Sequence, residues 1–533
     1  MKADKPWLKF YDDEVPPNLE YPDQPIPWIL RSGVEQYPEH IALIQGERRL
    51  TYRQLLEHSD SLARRLILGG LRRGERVAIC FSNQIEFVIA FYAVLLAGGV
   101  VAALNPTFPA RELKFQVDIV QPWALITAAA HIEKFRQAGL DTHFRKVFVA
   151  AEDGSLQFSE SGHSFTQGEK LKDIAPADSL PRLSAHDPAI LQFSGGTTGL
   201  PKAAVGLHRN VVANVIQFSR WLTPLKSGNE VFLAAVPLYH VYGMVIALNV
   251  ALHMGATIVL AEDPRDVRAL ATMINQHRVT AFPGVPSMFY SLNQYLSENP
   301  GLSLPFLKAC ISGSAPLPLL VKSRFEQLTG AKLVEGYGLS EAPTATHCNP
   351  FMGQNKNGSI GLPLPDVDCK VVDLATGRKV LAAGEEGELL ICGPQIMQGY
   401  FQQDSETRTA LEGGWLHTGD IARMDESGFF YIVGRKKEMI KVGGLQVWPA
   451  EVEEVVRQIP GVVDCAVKGV EDEYSGEVVK VWVVAKPGIT IDLEQVRGFC
   501  LERLAVYKVP RQLQLIDQLP RSAVGKVLKY QLR

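Results

Sequence analysis

The run FVIAFYAVLLAGGVVAAL, Phe87 to Leu104, carries no charge over about 18 residues, which touches the lower limit for a membrane-spanning helix. Gly98-Gly99 divides it into a helix-length piece and a Val-rich, strand-length piece, and Asn105-Pro106 stops it. A buried helix feeding a buried parallel strand is the better reading. The stretch ahead agrees, with RVAICF as a strand and NQIEFVIAFYAVLLAG as a helix that ends on glycine. ALITAAA, KVFVA, EVFLAAVPL and ATIVLAE repeat the theme, mostly alternating with helical stretches. That alternation predicts an α/β architecture with parallel sheets covered on both faces.

After about residue 355 the texture changes. CKVVDLATGRKVL, GELLICG and GFFYIVGR are short strands broken by glycine turns, as in a small β-rich subdomain. From Arg435 onward the pattern is a compact α+β unit, with helices in PAEVEEVVRQIP and LEQVRGFCLERL and strands in DCAVKGV and VVKVWVVAK. The join GRKKEMIKVGG is charged and bounded by glycines, a surface linker or a hinge. A length of 533 residues accommodates several core-forming units. The net charge of −3 argues against a nucleic-acid surface, which calls for a basic excess. Seven scattered cysteines without a C-x-x-C pair fit a reducing cytoplasm better than a disulfide framework or a zinc site. The opening MKADKPWLKFYDDEVPP has no apolar h-region, which speaks against export.

SGGTTGLPK, Ser194 to Lys202, can wrap an anion with backbone N–H groups, hydroxyls and a cation. It is not the usual phosphate loop, which reads G-x-x-x-x-G-K-[ST] and opens a helix. Here Pro201 takes the second glycine position, Ala203 follows Lys202, and AAVGL reads as a strand, with helix only from HRNVVANVIQFSRWL. On its own such a loop between two strands is more often plain connection than a phosphate grip.

Further motifs narrow the choice. FSGGTTGLPKAAV, PLYHVYG, EGYGLSEA, GELLICGPQIMQGYF, GWLHTGDIA, GFFYIVGRKKEMIKVGG and LPRSAVGKVLK follow in that order, from Phe193 to the end of the chain. In sequence, spacing and order they resemble the AMP-forming acyl-CoA synthetases of the adenylate-forming superfamily, which includes firefly luciferase and peptide-synthetase adenylation domains. The resemblance implies a large N-terminal domain, residues 1–434, of two helix-covered sheets and a small β-barrel-like subdomain. A small mobile α+β lid, residues 435–533, follows it. The implied reaction joins a carboxylate to ATP as acyl-AMP with loss of pyrophosphate, then passes the acyl group to the thiol of coenzyme A. Such chemistry needs charge neutralisation and in-line positioning rather than a protein nucleophile.

The resemblance assigns roles motif by motif. Ser194, Gly195, Gly196, Thr197, Thr198 and Gly199 grip the β- and γ-phosphates, and Lys202 adds a cation. Glu335, Gly336 and Tyr337 fall at the adenine, Ser340 at the α-phosphate, and Glu341 holds Mg2+; the family more often has threonine where Ser340 stands, and the hydroxyl is retained. Asp420 and Arg435 take the ribose hydroxyls with Ile432 close by, and Lys526 reaches the carboxylate and α-phosphate oxygens. Gly313, Ser314 and Ala315 form a wall shared by the adenine and acyl sites. His240, a gate or positioner and not a base, and Val241 stand at the mouth of the acyl pocket, where Gly284, Gly313 and Gly338 leave an apolar slot open. Lys437 is the hinge, and Lys441, Gly443, Gly444 and Trp448 mark the pantetheine tunnel. Taken singly, His240 reads as a satisfied core group, Glu341 as an exposed turn residue, Asp420 as a turn aspartate and Lys526 as a solvated tail residue.

FPGVPSMFYSL and KLVEGYGLSEAPTATHCNP resemble the fatty-acid CoA ligases more than the acetate or amino-acid enzymes. No acidic residue stands at Pro237-Leu238 to meet an α-ammonium group. A medium- to long-chain fatty acid is the expected substrate, with an alicyclic or aryl carboxylate as the alternative. Two further readings are an acyl-AMP ligase that loads a carrier protein in trans and a nucleotide-binding scaffold without catalysis. The implied partners are the acid, ATP, Mg2+ and coenzyme A in the cytoplasm, with no nucleic acid and no transmembrane segment. A homodimer and a peripheral membrane contact are left open.

Overall fold

The computed structural model describes residues 5–140, 142–151, 158–161, 169–170, 180–194, 202–472, 475–522 and 525–532. The uncharged run resolves as expected. Helix Ile85–Leu96 is buried at every position and lies between strands Arg76–Cys80 and Val100–Ala103, which pair in parallel. A helix with no polar face must be enclosed on all sides, and two sheets enclose it. No helix among the described residues is long and apolar enough to cross a membrane.

One nine-stranded sheet has Ala309–Ser312, Ala281–Gly284, Val231–Ala234 and Thr257–Leu260 at its centre, all parallel. The other centres on Val100–Ala103, Arg76–Cys80, Ala124–Ala128 and Lys146–Ala150, also parallel. Val77 and Ile79 from one sheet and Phe232 and Ile258 from the other share a single core with Phe87 and Phe91 of the enclosed helix. Both sheets become antiparallel towards their ends, as in the hairpin Pro188–Ser194/Lys202–Leu207 and the pair Leu333–Gly338/Ala345–Cys348. There too few residues separate the paired strands for a crossover helix.

The β-rich segment is a four-stranded antiparallel sheet: Asp368–Val372, Gly387–Cys392, Leu416–Met424, Phe430–Arg435. Beyond it a five-stranded sheet gathers Ile440–Val442, Leu445–Val447, Val462–Asp472, Gly476–Ala485 and Gln512–Leu515. That sheet has its own core, in which Val467 and Val481 meet Val452 of helix Pro449–Val456 and Val496 of helix Leu493–Leu501. All seven cysteines are free thiols, and Cys392 alone is not fully buried. Burial raises every one of these thiols, Cys80 to about 12 and Cys500 to about 11.

One element has no forerunner in the sequence reading. Gly243–Val250, directly after PLYHVY, is a π-helix. Such segments interrupt regular hydrogen bonding and are frequent beside functional sites.

Candidate active site

Four separate strands and the chain's C-terminal loop bring their polar residues to one cleft. Asp420 and Arg435 are register partners on adjacent antiparallel strands, which places their side chains on one face of the sheet. Arg435 Nε donates to Asp420 Oδ1 at 2.8 Å, and Tyr337 Oη, from the end of strand Leu333–Gly338, donates to Oδ2 at 2.5 Å. Asp420 is only 3% exposed while the Arg435 side chain is 38% exposed, so the carboxylate end of the pair is shielded from solvent. Each carboxylate oxygen keeps a further lone pair, and the carboxylate can still accept from a neighbouring diol. The Tyr337 hydroxyl stays protonated, because burial and the charge of Asp420 both raise it.

Lys526 projects into this cluster. Burial lowers its ammonium to about 8, with repulsion from Arg435 adding to the effect while Asp420, Glu438 and Glu341 oppose it. Its loop is tied by the Ser522 N–H donating to the Lys526 carbonyl at 2.8 Å, and Gly525 faces Val285 and Ser287 of the large N-terminal unit. His240 lies within electrostatic reach. Burial, and then the charge of Lys526, hold its imidazole down at about 4, so it is neutral at physiological pH. Its Nδ1 accepts from the Tyr242 N–H at 3.3 Å, and its carbonyl accepts from Met244 N–H at the entry to the π-helix. Val241 beside it is buried.

Glu341 follows the tyrosine strand in a loop. Tyr400 Oη donates to Glu341 Oε1 at 2.9 Å, and Ser340 Oγ donates to the carbonyl of Phe193 at 3.4 Å, tying this loop to the strand that ends at Ser194. The expected phosphate grip at Gly195, Gly196, Thr197, Thr198 and Gly199 lies outside the described residues. Lys202, at its far flank, pairs with Glu406 and lies 5.1 Å from the Tyr400 ring. No cluster of three or more His, Cys, Asp or Glu among the described residues is arranged to hold a metal. A cation at Glu341 would therefore take its other ligands from phosphate oxygens and water, which suits Mg2+.

The wall sequence ISGSAPL follows strand Ala309–Ser312. Ser314 adopts a left-handed φ of 69°, a strained backbone for a residue with a side chain. Ala315 follows it, and Gly313 N–H donates to the Gly284 carbonyl at 3.1 Å. Glu335 is buried behind this wall, where burial raises its carboxyl to about 8 while the Leu317 N–H opposes the shift. Gly336 continues the same strand, and Ile432 lies on strand Phe430–Arg435, packed against the main core.

At the three glycines of the expected apolar slot, neighbouring groups stand close to where a side chain would begin. A Cβ on Gly313 would stand 3.2 Å from the Tyr242 ring, and one on Gly284 would stand 3.0 Å from Phe289 and 3.2 Å from Phe282. Tyr242 is fastened there by donating to the carbonyls of Ile311 at 3.1 Å and Gly284 at 3.3 Å. At Gly338 a Cβ would fall 1.7 Å from the Thr344 carbonyl oxygen, so that glycine serves a close backbone approach. Aromatic rings and backbone occupy the space that the missing side chains leave.

The remaining positions are not gathered into the cleft. Gly443 and Gly444, with φ of 56° and 83°, form the two-residue turn between strands Ile440–Val442 and Leu445–Val447, with no atom within 4 Å of either Cβ position. Lys441 is exposed beside them. Trp448 is 6% exposed, and its ring lies 3.1 Å from where a Cβ of Gly434 would be. Trp448 is thus packed in this conformation. Lys437 is exposed in the short 3-10 turn Lys436–Glu438 and is within electrostatic reach of Glu406. Sequence reasoning missed the contributions of Tyr400, Tyr242 and Glu406. The first two stand inside quoted motifs, but only a long-range contact reveals what they touch.

Relatives match the chain over nearly their whole length. A long-chain-fatty-acid–CoA ligase of Bacillus subtilis (strain 168) is 36% identical, the match covering 100% of this chain and 98% of the relative. The crystal structure of ATP-bound MatB from Rhodopseudomonas palustris superposes with a TM-score of 0.83 at 28% identity, covering 96% of this chain and 98% of that one. O-succinylbenzoate coenzyme A synthetase (MenE) from Bacillus subtilis, in complex with ATP and magnesium ion, gives 0.80 at 27% identity over 96% and 100%. The model of the AMP-binding enzyme family matches residues 30–401, which hold Ser194, Lys202, Tyr337 and Glu341, and that of its C-terminal domain matches residues 451–526, ending on Lys526. By site, fold and length of match, the chain belongs to the AMP-binding enzyme family.

Proposed function

We propose that this protein is an ATP-dependent acyl-CoA synthetase acting on medium- to long-chain fatty acids. The observation that carries the reading is the convergence of Arg435, Tyr337 and Lys526 around the buried Asp420 carboxylate, beside Glu341. The full-length similarity to a long-chain-fatty-acid–CoA ligase supports the choice of acid and of coenzyme A.

In the first half-reaction the acid's carboxylate oxygen attacks the α-phosphorus of ATP, giving acyl-AMP and pyrophosphate. Two anions must meet, so the barrier is largely electrostatic. Asp420 and Arg435 hold the ribose, Tyr337 faces the adenine, and Ser340 and Lys526 meet the α-phosphate and carboxylate oxygens. Lys202 and the loop from Ser194 to Gly199 hold the β- and γ-phosphates. Mg2+ at Glu341 supplies charge neutralisation on the phosphates when bound. His240 is neutral and places the carboxylate by contact rather than by charge. In the second half-reaction the thiol of coenzyme A attacks the acyl carbon, forming the thioester and releasing AMP. Lys526 and the Gly443-Gly444 turn lie on distant segments of one small unit, so rotation of residues 435–533 about Lys437 presents them in succession.

An aryl or alicyclic acid is a second reading, supported by the rings of Tyr242, Phe282 and Phe289 closing over Gly313 and Gly284. Incubation with ATP, Mg2+ and a panel of fatty, alicyclic and aryl acids, with and without coenzyme A, tests both. Thioester and AMP from fatty acids are expected. AMP that forms only with a carrier protein would reassign the acceptor, and no AMP with any acid would sink the enzyme reading.

A further inference from the structure

Tyr400 touches both charges that flank the expected phosphate chain, and it does so with two different parts of one side chain. Its hydroxyl donates to Glu341 Oε1 at 2.9 Å. Its ring lies 5.1 Å from Lys202 Nζ, within the range of a cation–π contact. The backbone around it is fixed to the same two segments. Met397 N–H donates to the Glu341 carbonyl at 2.9 Å. Tyr400 pairs with Ala204 on the strand that begins at Lys202. The Thr407 hydroxyl receives the Tyr400 N–H at 2.8 Å, from the helix Asp404–Ala410 that also carries Glu406, the ion-pair partner of Lys202.

We propose that Tyr400 is a positioning residue for adenylation, orienting the Glu341 carboxylate for the cation and seating Lys202 beside the phosphate loop. The inference rests on the reading of Glu341 as the Mg2+ carboxylate. A neutral hydroxyl suits the task because it fixes one oxygen of the carboxylate without cancelling the negative charge that the cation needs. A lysine or arginine in its place would compete with the metal. The ring sets Lys202 by its face and leaves the ammonium's N–H groups for oxygen acceptors.

The test uses the full chain and two variants, Tyr400→Phe and Glu341→Gln, alone and combined. Binding of ATP is measured by calorimetry with and without Mg2+, and the Mg2+ requirement of acyl-AMP formation is titrated in parallel. Tyr400→Phe keeps the ring and should weaken binding of Mg2+–ATP about tenfold, as loss of a group that orients a metal ligand commonly does, while metal-free ATP binds as before. The Mg2+ requirement should rise by a similar factor, with little change in rate at saturating Mg2+. In the Glu341→Gln background Tyr400→Phe should add nothing. If Tyr400→Phe weakens metal-free and Mg2+-bound ATP equally, or if its effect multiplies with that of Glu341→Gln, the positioning role is overturned. An unchanged Mg2+ requirement in Glu341→Gln would instead overturn the metal assignment of Glu341, an outcome distinguishable from the first two.

Discussion

Two segments of the C-terminal unit face opposite conditions. Lys526 lies among the charges of Asp420 and Arg435 on two strands and of Glu438 and Glu341 beside them, and is held down to about 8 by burial. The Gly443-Gly444 turn is on the same unit but stands in the open, with no atom within 4 Å of either Cβ position. An enclosed ammonium is already dressed for one task, whereas an uncovered turn has the shape for a contact that this arrangement does not make. On the proposed reading, the contrast corresponds to one conformation serving one half-reaction at a time, which is the physical content of the proposed rotating lid.

The strongest way to break this contrast is Lys526→Ala. Loss of a charge aimed at the reacting oxygens should slow acyl-AMP formation from ATP about 10²- to 10³-fold. Supplied acyl-AMP plus coenzyme A should still give thioester at close to the original rate. Equal slowing of both half-reactions would remove the two-position lid. Gly443→Leu should do the reverse, slowing thioester formation by about tenfold or more through misplacement of the incoming thiol, with adenylation intact. The substitution meets no neighbouring atom, so the left-handed backbone costs only about 1–2 kcal/mol of stability, and a folded variant is expected.

A third test sharpens the contrast by pH. The Lys526 ammonium is charged below about 8 and loses its proton above it. In the free enzyme, kcat/KM for ATP should therefore fall about tenfold per pH unit well above that value. The rate of thioester formation from supplied acyl-AMP should not follow. Glu335 also titrates near 8, and Lys526→Arg separates the two, since a guanidinium keeps its charge and should move the alkaline limb upward. The smallest effect is expected at Gly284→Leu. Its side chain must displace Phe289 and Phe282, so stability falls by about 1–3 kcal/mol in a thermal melt while the preferred acyl chain length changes little. A shortened chain-length profile in a fully stable variant would restore the open slot.

Much of the fold was legible because burial and backbone chemistry are local. A charge-free run cut by Gly98-Gly99 has few ways to avoid water other than a helix and a strand inside a parallel α/β core, and Ile85–Leu96 and Val100–Ala103 are those elements. Gly443-Gly444 between Val-rich flanks is equally explicit, because a two-residue hairpin turn needs left-handed backbone at both positions. The π-helix was not legible, since MVIALNV offers the same apolar surface to α and π geometry. Nor was the occupancy of the glycine slot. A glycine announces the absence of a side chain, but which ring fills the gap depends on Tyr242 arriving from another sheet connection. The link between Glu341 and Tyr400 spans 59 residues, and no local pattern encodes it.

The burial of the cysteines bears on a hazard of the proposed chemistry. An acyl-adenylate is an acylating agent towards any thiolate, and the protein carries seven thiols of its own. Reactivity belongs to the ionised form, and burial makes that form scarce at all seven positions, with six of the thiols sealed from solvent as well. The activated acyl group thus meets few thiolates within the protein, and the thiol that arrives with the second substrate has little competition from them. Protection of the thiols against self-acylation is in this sense a by-product of how the core is packed.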